Sequence, residues 1–584
     1  MTPERTHPSP PGMPLHVLRE YALIADGERG ALVGPRGGIS WLCLPRWHDE
    51  PVFGDLLGGG GTYAVTPSGR FVWGGFYEPA SLIWRSRWIV DDGSVIECRE
   101  ALARPTDPRN AVLIRQVRAV TGTARVEVTL DLRSGGRAHG RSHPHRDEDR
   151  WTGRSGPLHW RWTGASDAAP GRDGVLRAEL LVDEGDAVDL VLETGLDAPG
   201  DRPNPDRLWS TTTASWQEGV PDLDAGSASR DARHAYAVLH GLTSSSGGMV
   251  AAATMGLPER ARRDTSYDYR YVWIRDQAYA GLAAAEHGPL PALHDAVRFA
   301  TARLLEDGDR IKPAYRVDGG PVPDEHDLDL PGYPGGQPRA GNRVNQQFQL
   351  DAVGEVLQLL AAAARTDCLD ADGWRAAQVA VDVVEKRWDS PEAGIWELED
   401  DWWTQSRLAV VAGLRRIAEV APSPGDAGRA ATLADGILAE TGRRCLAPEG
   451  WWQRSPSVAG VDASLLLSPV RGALPMDDPR SQATLAAVRD QLTQDGYVYR
   501  FRPSPAPLGE LEGAFLLCGF VLALAEHAAG DEVAAARAFE RTRAACGTPG
   551  LLAEEFDVRQ RQLRGNLPQA FVHALLLECA ATLT

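Results

Sequence analysis

The first third of the chain alternates polar and apolar residues with a period of two. In residues 125–132 (RVEVTLDL) every second side chain is apolar, as expected for a strand that buries one face. Similar short runs, separated by Gly, Asp and Pro, continue over residues 20–220. Many short strands joined by tight turns favour antiparallel pairing, so we expect an antiparallel β-sandwich over residues 17–225.

After residue 225 the apolar residues recur three and four positions apart, as in amphipathic helices. Twelve such segments follow one another, separated by Gly and Pro. Six consecutive helical hairpins can close into a double ring, and the even-numbered helices, which would line the inside, carry less charge. We therefore expect an (α/α)6 toroid, or six-hairpin barrel, over residues 226–584. An α-solenoid is the alternative, but the segments show no repeat of fixed period.

Composition excludes several classes of protein. The net charge of −19 over 584 residues argues against a surface that binds nucleic acid or anionic lipid. Seven cysteines are too few for a disulfide framework. Residues 1–16 are rich in Pro and lack the apolar core of a signal peptide, so we expect them to form a flexible tail. We expect a cytoplasmic protein with no membrane partner and no cofactor. The oligomeric state is open, a homo-oligomer included.

Candidate chemistry collects in the loops that lead from an odd-numbered helix to an even-numbered one. These loops are rich in Trp, Tyr, Arg and carboxylates, whereas the other connections are short. In a toroid they would all open on one face and form a single cleft. A cleft of aromatic rings, arginines and acids has the composition of a carbohydrate site, because flat aromatic rings pack on the apolar faces of sugars.

The carboxylates in these loops have the types that glycosidic hydrolysis needs, one as acid and one as base or nucleophile. Glu397 follows Trp396, which would help to desolvate it and keep its proton available. Glu554 and Glu555 form the other candidate pair, of which only one is expected to face substrate. Asp276 lies beside Arg275, so we expect a salt-bridged carboxylate with a low pKa, suited to binding sugar hydroxyls.

Six motifs occur in an order that resembles glycoside hydrolase family 15, the glucoamylases and the bacterial glucoamylase-like and trehalase-like enzymes. They are YDYRYVWIRD, LPGYPGGQPRAGN, GIWE, VDASLLL, EGAFLLC and GNLPQAFVH. Residues 21–59 are similar to the trehalase-like N-terminal domain that precedes the catalytic domain in bacterial members. The resemblance covers nearly the whole chain.

The resemblance implies roles for individual residues. Glu397, in GIWE, is similar to the family's general acid, and Glu554 matches its general base. The implied mechanism inverts the anomeric centre, with the two carboxyl groups roughly 6.5–9.5 Å apart to admit a water. The remaining candidates are implied to bind substrate, and no metal is implied: Trp273, Arg275, Asp276, Arg500, Trp396 and Tyr269.

Several residues depart from the family pattern around the site. Gln405 and Arg407 stand where relatives have His and Lys, and Leu567 and Val572 stand where they have Phe and Ser. These departures do not affect the expected hydrolytic reaction, but they leave open which sugar linkage the enzyme cleaves.

We expect an exo-acting enzyme that releases glucose from short α-glucosides or isomalto-oligosaccharides, with Trp402, Trp403, Trp451 and Trp452 as candidate walls for further sugars. An α,α-trehalase with the same two acids is the alternative, in which the loop 312–342 would close a disaccharide pocket. A disaccharide phosphorylase is disfavoured because it would not need Glu554. A glycan-binding protein without activity is disfavoured because both acids are present.

Overall fold

The computed structural model describes residues 15–133, 135, 144–259, 265–503 and 506–583. By its internal contacts the chain divides into two units. The first comprises Met1–Glu218 with Leu328–Pro338, and the second comprises Gly219–Asp327 with Arg339–Thr584. The division therefore falls slightly before the predicted boundary at residue 225. The predicted tail, except for its last two residues, lies outside the described part.

In the part of the chain that the structure describes, the first unit contains two antiparallel sheets and an α-helix that ends at its boundary. Its strands are β1 (Ala22–Ala25), β2 (Gly30–Val33), β3 (Gly38–Cys43), β4 (Pro51–Phe53), β5 (Thr62–Pro67), β6 (Phe71–Tyr77), β7 (Trp84–Val90), β8 (Val95–Leu102), β9 (Asn110–Thr121), β10 (Ala124–Asp131), β11 (His145–Asp147), β12 (Arg150–Ser155), β13 (Leu158–Thr163), β14 (Ala169–Pro170), β15 (Leu176–Val182) and β16 (Ala187–Gly195). One sheet has the order β1-β2-β3-β5-β10-β15-β14 with β4 paired to β3, and the other has the order β11-β12-β13-β16-β9-β8-β7-β6. The prediction of an N-terminal antiparallel β-sheet domain is confirmed.

Both sheets contribute to one hydrophobic core. In β10 the apolar residues Val126, Val128 and Leu130 are buried and belong to this core, together with Trp84 and Trp88 of the other sheet. The alternation seen in the sequence thus separates the buried face of β10 from its polar face. Burial of apolar side chains between the sheets is what stabilises this unit.

A helix that the sequence pattern did not reveal follows the last strand. This helix, α1 (Pro205–Gly219), buries Trp209, Thr212 and Trp216. The guanidinium carbons of Arg99 and Arg104 lie 4.2 and 4.4 Å from the ring centres of Trp209 and Trp216. Both arginines lie far from α1 in sequence. Because these cation–π contacts are tertiary, the local pattern of apolar residues does not predict α1.

Residues Leu328–Pro338, from the middle of the long loop 312–342, are counted with the first unit. The backbone N–H of Gly332 donates to the carbonyl of Leu57 at 2.9 Å. The hydroxyl of Tyr333 donates to the carbonyl of His16, also at 2.9 Å. The middle of the loop that would close a disaccharide pocket in the trehalase alternative therefore makes these two hydrogen bonds within the β-sheet unit.

The second unit is helical. Its helices are α2 (Ser229–Leu242), α3 (Ile274–Ala285), α4 (Pro291–Asp307), α5 (Leu350–Arg365), α6 (Ala371–Arg387), α7 (Thr404–Val420), α8 (Pro424–Arg444), α9 (Leu467–Arg471), α10 (Pro479–Gln491), α11 (Leu516–Ala528), α12 (Glu532–Arg543) and α13 (Ala570–Thr582). Each corresponds to one predicted segment, but three helices are markedly shorter than predicted: α5 begins at Leu350 rather than at Asn342, α9 spans five residues of the segment predicted over residues 461–473, and α11 begins at Leu516 rather than at Gly509. The prediction of a helical C-terminal domain is confirmed.

Alternate helices contact one another in a cyclic order. α3 contacts α5, α5 contacts α7, α7 contacts α9, α9 contacts α11, α11 contacts α13, and α13 contacts α3. α3, α5, α11 and α13 are buried over nearly their whole length, whereas α6, α8 and α12 bury only one face. The difference in charge between alternate segments of the sequence reflects this difference in burial.

Short strands tie the loops of this unit together. They are β17 (Val272–Trp273), β18 (Ala314–Tyr315), β19 (His326–Asp327), β20 (Arg339–Ala340), β21 (Thr493–Gln494), β22 (Tyr497–Val498), β23 (Ala514–Phe515), β24 (Glu555–Asp557) and β25 (Gln562–Arg564). β17 pairs with β18 directly before α3, and β23 pairs with β24 directly before α11. These two pairings fix the segments that carry most of the candidate site residues.

Candidate active site

Glu397 lies in a tight turn between α6 and α7. The backbone N–H of Glu397 donates to Gly394 O at 3.1 Å, and its φ of +53° is a left-handed conformation that non-glycine residues rarely adopt. Gly394 has a φ of +70°, and a side chain there would collide with the ring of Trp403. The turn is therefore held in one conformation that aims the Glu397 side chain.

The carboxylate of Glu397 has two partners from the segment before and within α3. The indole N–H of Trp273 donates to Glu397 Oε1 at 2.6 Å, and Arg275 Nη2 lies 3.5 Å from the same oxygen. The side chain keeps 27% of its surface exposed, so its other oxygen is available to a ligand. Trp273 is thus an aromatic residue that contacts this carboxylate through a hydrogen bond.

A buried ion pair stabilises the turn that carries Glu397. Arg407 Nη1 donates to Glu392 Oε1 at 2.7 Å, and both side chains are fully buried. The second oxygen of Glu392 accepts from the backbone N–H groups of Gly394 and Leu350, at 2.8 and 3.1 Å. The departure from Lys at position 407 thus places a guanidinium where it fastens the Glu397 turn to the start of α5.

Glu554 and Glu555 point in different directions, as neighbouring residues of an extended segment do. Glu554 accepts from the hydroxyl of Tyr269 at 3.1 Å. Glu555 accepts from the backbone N–H of Gly513 at 2.8 Å and is fully buried. Of the two acids, Glu554 therefore contacts the aromatic segment that also contacts Glu397.

The environment of Glu554 favours its neutral form. Burial and the neighbouring carboxyl group of Glu259 raise the pKa of Glu554 well above its usual value. Arg500 and the Tyr269 hydroxyl act in the opposite direction, but more weakly. Glu554 consequently gains its negative charge only at a higher pH than an exposed carboxyl group would.

Tyr269 and Trp273 join the two acids. Their rings meet edge to face, with centres 5.5 Å apart, and the ring of Tyr267 stacks parallel to that of Tyr269 at 6.1 Å. Because Trp273 donates to Glu397 and Tyr269 donates to Glu554, a continuous series of contacts leads from one acid to the other. The segment 267–273 thus holds both carboxyl groups against one aromatic surface.

The pKa of Asp276 is raised, which contradicts the expectation of a salt-bridged carboxylate with a low pKa. Its Oδ2 lies 3.9 Å from Arg275 Nε, beyond hydrogen-bond distance, and its side chain is almost completely buried. Arg275 instead donates to Gln349 at 2.8 Å and to Asp351 at 3.4 Å. Burial therefore outweighs the attraction of Arg275 and, with the charge of Glu397, raises the pKa of Asp276 to about 7.

Arg500 and Trp396 form a second support beside Glu554. Arg500 binds Glu512 through two hydrogen bonds of 2.9 Å, and its guanidinium lies 4.2 Å from the ring centre of Phe515. The indole N–H of Trp396 donates to Asp462 Oδ2 at 2.8 Å. Both predicted substrate-binding residues thus have fixed side chains, although most of their polar groups already have protein partners.

The paired tryptophans differ in their surroundings. Trp402 lies between the guanidinium groups of Arg407 and Arg444, and Trp452 is fully buried, so both serve packing. Trp403 lines a pocket beside the Glu397 turn with Gly394, Trp396, Arg454 and Asp462. Of the two pairs, Trp403 lines this pocket, and Trp451 is half-buried.

The other departures from the family pattern lie in the packing. Leu567 and Val572 are fully buried, and Leu567 N–H donates to Thr254 Oγ1 at 2.9 Å. Gln405 is also buried, at the start of α7. These side chains therefore support the walls of the site from behind.

Glu259 was missed in the sequence. It lies in the same inter-helix loop as Tyr269 but precedes the aromatic run that attracted attention. The Tyr269 hydroxyl lies 3.2 Å from Glu259 Oε1, almost the same distance as from Glu554. The sequence feature that could have identified Glu259 is the presence of a further carboxylate in a loop that already contains candidate site residues.

The described ranges contain no cluster of three or more His, Cys, Asp or Glu side chains that could bind a metal ion. The sequence offers His139, His143 and His145 as metal ligands, although their segment is more typical of a solvated loop; His139 and His143 lie outside these ranges, and His145 is exposed in β11. Among the helices that the structure describes, none is long and apolar enough to cross a membrane.

Comparison with known proteins places this geometry in a family. The profile of glycosyl hydrolases family 15 matches residues 233–581, more than half of the chain, and the profile "Trehalase-like, N-terminal" matches residues 12–206. The chain belongs to glycosyl hydrolase family 15. It is a glycoside hydrolase, as the resemblance of its motifs implied.

Relatives of this family 15 enzyme include trehalases that match over nearly its whole length. It is 30% identical to the trehalase of Mycobacterium tuberculosis, over 97% of this chain and 90% of that protein. It is also 30% identical to the trehalase of Mycolicibacterium smegmatis, over 98% of this chain and 91% of that protein. The isomaltose glucohydrolase of Kribbella flavida is 29% identical, over 56% of this chain and 82% of that protein.

A solved structure shares the fold of this family 15 enzyme. A bacterial glucoamylase in complex with acarbose superposes with a TM-score of 0.69 and covers 96% of this chain and 93% of its own. Only 13% of the residues are identical, so the likeness concerns the fold alone.

Proposed function

We propose that this enzyme hydrolyses the α-glucosidic bond of a terminal glucose with inversion, with Glu397 as general acid and Glu554 as general base. The observation that carries the proposal is the series of contacts Glu397–Trp273–Tyr269–Glu554. Two carboxyl groups from loops far apart in sequence flank one aromatic surface. This is the arrangement that acid–base hydrolysis of a sugar requires.

The reaction proceeds by displacement at the anomeric carbon. Glu397 donates its proton to the glycosidic oxygen as the bond between that oxygen and the anomeric carbon breaks. A water attacks the same carbon from the opposite face, and Glu554 takes the proton that this water loses. Trp273 and Arg275, both on Glu397 Oε1, stabilise the carboxylate that remains after proton donation.

The remaining candidates bind the terminal glucose. Trp273 and Tyr269 offer aromatic edges and faces to its apolar surfaces, and Arg275 and Asp276 lie next to the acid. Arg500 and Trp396 lie on the side of Glu554, since the charge of Arg500 acts on that carboxyl group. An exo-acting site of this kind releases one glucose at a time.

The domain organisation is a further part of the proposal. We propose a β-sandwich of trehalase-like type over residues 17–225 and an (α/α)6 toroid as the catalytic domain over residues 226–584. The shared core of the two sheets and the cyclic contacts of α3, α5, α7, α9, α11 and α13 support these architectures. None of the seven cysteines forms a disulfide bond in the structure, which supports the proposal of a cytoplasmic location.

The first candidate substrate is α,α-trehalose. Two relatives with this name match both the β-sheet unit and the helical unit, at 97% and 98% of the chain. The second candidate is isomaltose or a short isomalto-oligosaccharide, because a relative named isomaltose glucohydrolase matches 56% of the chain. The sequence alone favoured the second class, and the full-length relatives favour the first.

A panel of sugars decides between these substrates. The purified enzyme is incubated with trehalose, isomaltose, maltose, maltotriose and starch, and released glucose is measured. We expect turnover of trehalose above that of the other sugars. Preferential turnover of isomaltose would favour the second candidate, and release of glucose from none of them would contradict the proposed function. Stimulation by phosphate, with sugar phosphate as a product, would indicate phosphorolysis instead.

A further inference from the structure

Asp462 joins loops of the helical unit that lie far apart in sequence. It directly precedes the 3₁₀ helix Ala463–Leu466, and its Oδ1 accepts from the backbone N–H of Ser464 at 2.9 Å and from the Ser464 hydroxyl at 2.6 Å. The indole nitrogen of Trp396 lies 3.0 Å from Oδ1 and 2.8 Å from Oδ2. One buried carboxylate thus binds the loop that carries Glu397 to the loop before α9.

The backbone around Asp462 makes a further connection, to the segment of Arg500. The N–H of Ala463 donates to the carbonyl of Arg500 at 2.8 Å, and Asp462 pairs with Phe501 in an isolated antiparallel bridge. The guanidinium of Arg500 lies 5.3 Å from the ring centre of Trp396. Asp462 therefore fixes Trp396 through its side chain and the segment of Arg500 through its backbone.

Arg454 supplies a positive charge beside the Asp462 carboxylate. Its Nε lies 3.8 Å from Asp462 Oδ2, and its guanidinium carbon lies 3.6 Å from the ring centre of Phe501. Burial raises the pKa of Asp462, whereas Arg454 and the hydrogen bonds from Ser464 and Trp396 act in the opposite direction. Each of these partners offers the carboxylate a hydrogen or a positive charge, so the ionised form satisfies all of them.

The position of Trp396 bears on the proposed general acid. Trp396 directly precedes Glu397, whose left-handed backbone conformation sets the direction of the acid. The half-buried indole of Trp396 meets the ring of Phe515 edge to face, with centres 5.4 Å apart. Phe515 and Arg500 contact the ring, whereas Asp462 binds its N–H. Loss of the Asp462 carboxylate would therefore release the polar end of the side chain next to the acid.

We propose that Asp462 is a positioning residue for the hydrolysis, because it holds the Trp396 indole at the wall of the site and thereby fixes the loop of Glu397. It takes no part in proton transfer. The inference rests on the proposed function, since it requires Glu397 to be the acid and Trp396 to face the sugar. It assigns a role to the motif VDASLLL, which the two proposed proton transfers do not use.

The test is a double-mutant cycle of Asp462→Asn and Trp396→Phe, measured as kcat/KM. If the amide of Asp462→Asn keeps its oxygen on Ser464, its NH2 group replaces Oδ2, 2.8 Å from the indole nitrogen, and two donors face each other. We expect kcat/KM to fall by about 10- to 100-fold, because a bond to a charged acceptor is lost. With Phe at position 396 no donor faces the amide, and we expect the same change to cost less than about threefold.

Asp189→Asn is the matched control. Asp189 also accepts an indole N–H, that of Trp209 at 2.8 Å, but it belongs to the β-sheet unit, so we expect the wild-type kcat/KM. Circular dichroism verifies that each variant is folded. An equal loss from Asp462→Asn with and without the Trp396 indole would show that Asp462 does not act through Trp396, and would overturn the inference. Wild-type kcat/KM in folded Asp462→Asn would overturn it as well.

The measurement uses α,α-trehalose, or isomaltose if that is the sugar hydrolysed. If Asp462→Asn does not fold, Ser464→Ala takes its place in the cycle, because it removes the hydroxyl that binds Asp462 Oδ1. No loss in that variant, or a loss that Trp396→Phe leaves unchanged, contradicts the inference too. Glu397→Gln separates the two claims, because wild-type activity of that variant contradicts the proposed acid itself, whereas loss of activity leaves only the role of Asp462 at issue.

Discussion

The indole N–H of Trp273 donates to Glu397 Oε1 over 2.6 Å, and the same ring meets Tyr269, the partner of Glu554. A single aromatic segment directly before α3 thereby sets the positions of both proposed catalytic acids. Its own place is fixed by the pairing of β17 with β18, in which Trp273 lies opposite Ala314. The geometry of the site thus depends on a loop that contributes neither acid.

Replacing Trp273 with Phe tests this dependence. The ring remains, but the donor to the Glu397 carboxylate is lost, so we expect kcat/KM to fall by about 10- to 100-fold, the worth of one hydrogen bond to a charged group. Trp452→Phe is the matched control, because the Trp452 indole N–H is buried without a hydrogen-bond partner. Steady-state kinetics of both variants provide the comparison. Equal losses in the two would contradict a specific role for the Trp273 donor.

The two acids are tested by Glu397→Gln and Glu554→Gln. Each removes one proton transfer, so we expect kcat to fall by about 100- to 10,000-fold in either variant. Glu399→Gln, at an exposed position two residues after Glu397, is expected to keep full activity. Circular dichroism confirms that each variant is folded. Wild-type turnover by Glu554→Gln would show that the base is another residue.

The raised pKa of Asp276 has a consequence for stability. An acid whose pKa rises from 3.8 to about 7 on folding contributes stability that is present below pH 3.8 and is lost as the pH rises through about 7. Asp276→Asn cannot ionise, so its melting temperature should fall less than that of the wild type between pH 4 and pH 8. The pKa values of Glu355 and Glu392 are also raised to about 7, so the melting temperature of the variant still falls over this pH range. Identical pH dependence in the two proteins would mean that Asp276 stays ionised in the fold.

The Glu392–Arg407 pair is tested through stability and activity together. Glu392→Gln leaves the Arg407 guanidinium buried without its carboxylate, and we expect a loss of about 3–5 kcal/mol in the free energy of unfolding. Turnover should fall as well, because Glu392 fixes Gly394 in the Glu397 turn. Asp435→Asn breaks the exposed Arg415–Asp435 pair and should cost about 0–1 kcal/mol. Chemical denaturation measures both. A loss in Glu392→Gln no larger than in the control would contradict the structural role of the pair.

Periodicity in the sequence was enough to predict an antiparallel β-sheet unit followed by a helical unit. It failed for α1, whose buried positions are Trp209, Thr212 and Trp216 in a segment rich in Ser and Thr. The packing of Arg99 and Arg104 on these indoles is a tertiary contact, which no local window contains. Such contacts override weak local preference.

The candidate site was only partly predictable for a similar reason. The sequence placed Asp276 beside Arg275, but neighbours in a helix point in different directions, and burial then decided the pKa of Asp276. Glu259 gained its importance from Tyr269 and from Gly565, which lies some 300 residues later in the chain. Motifs identified the residues of the site, whereas their partners required the folded chain.

The central claim is hydrolysis with inversion, and the anomer of the released glucose tests it most directly. Proton NMR spectra are recorded during the first turnovers with α,α-trehalose, before mutarotation mixes the anomers. Inversion at one anomeric carbon predicts α- and β-glucose in equal amounts, since the leaving glucose keeps its α configuration. With isomaltose, the glucose from the non-reducing end is expected as the β anomer. Initial release of α-glucose alone from trehalose would contradict the assignment of Glu554 as a base that activates water.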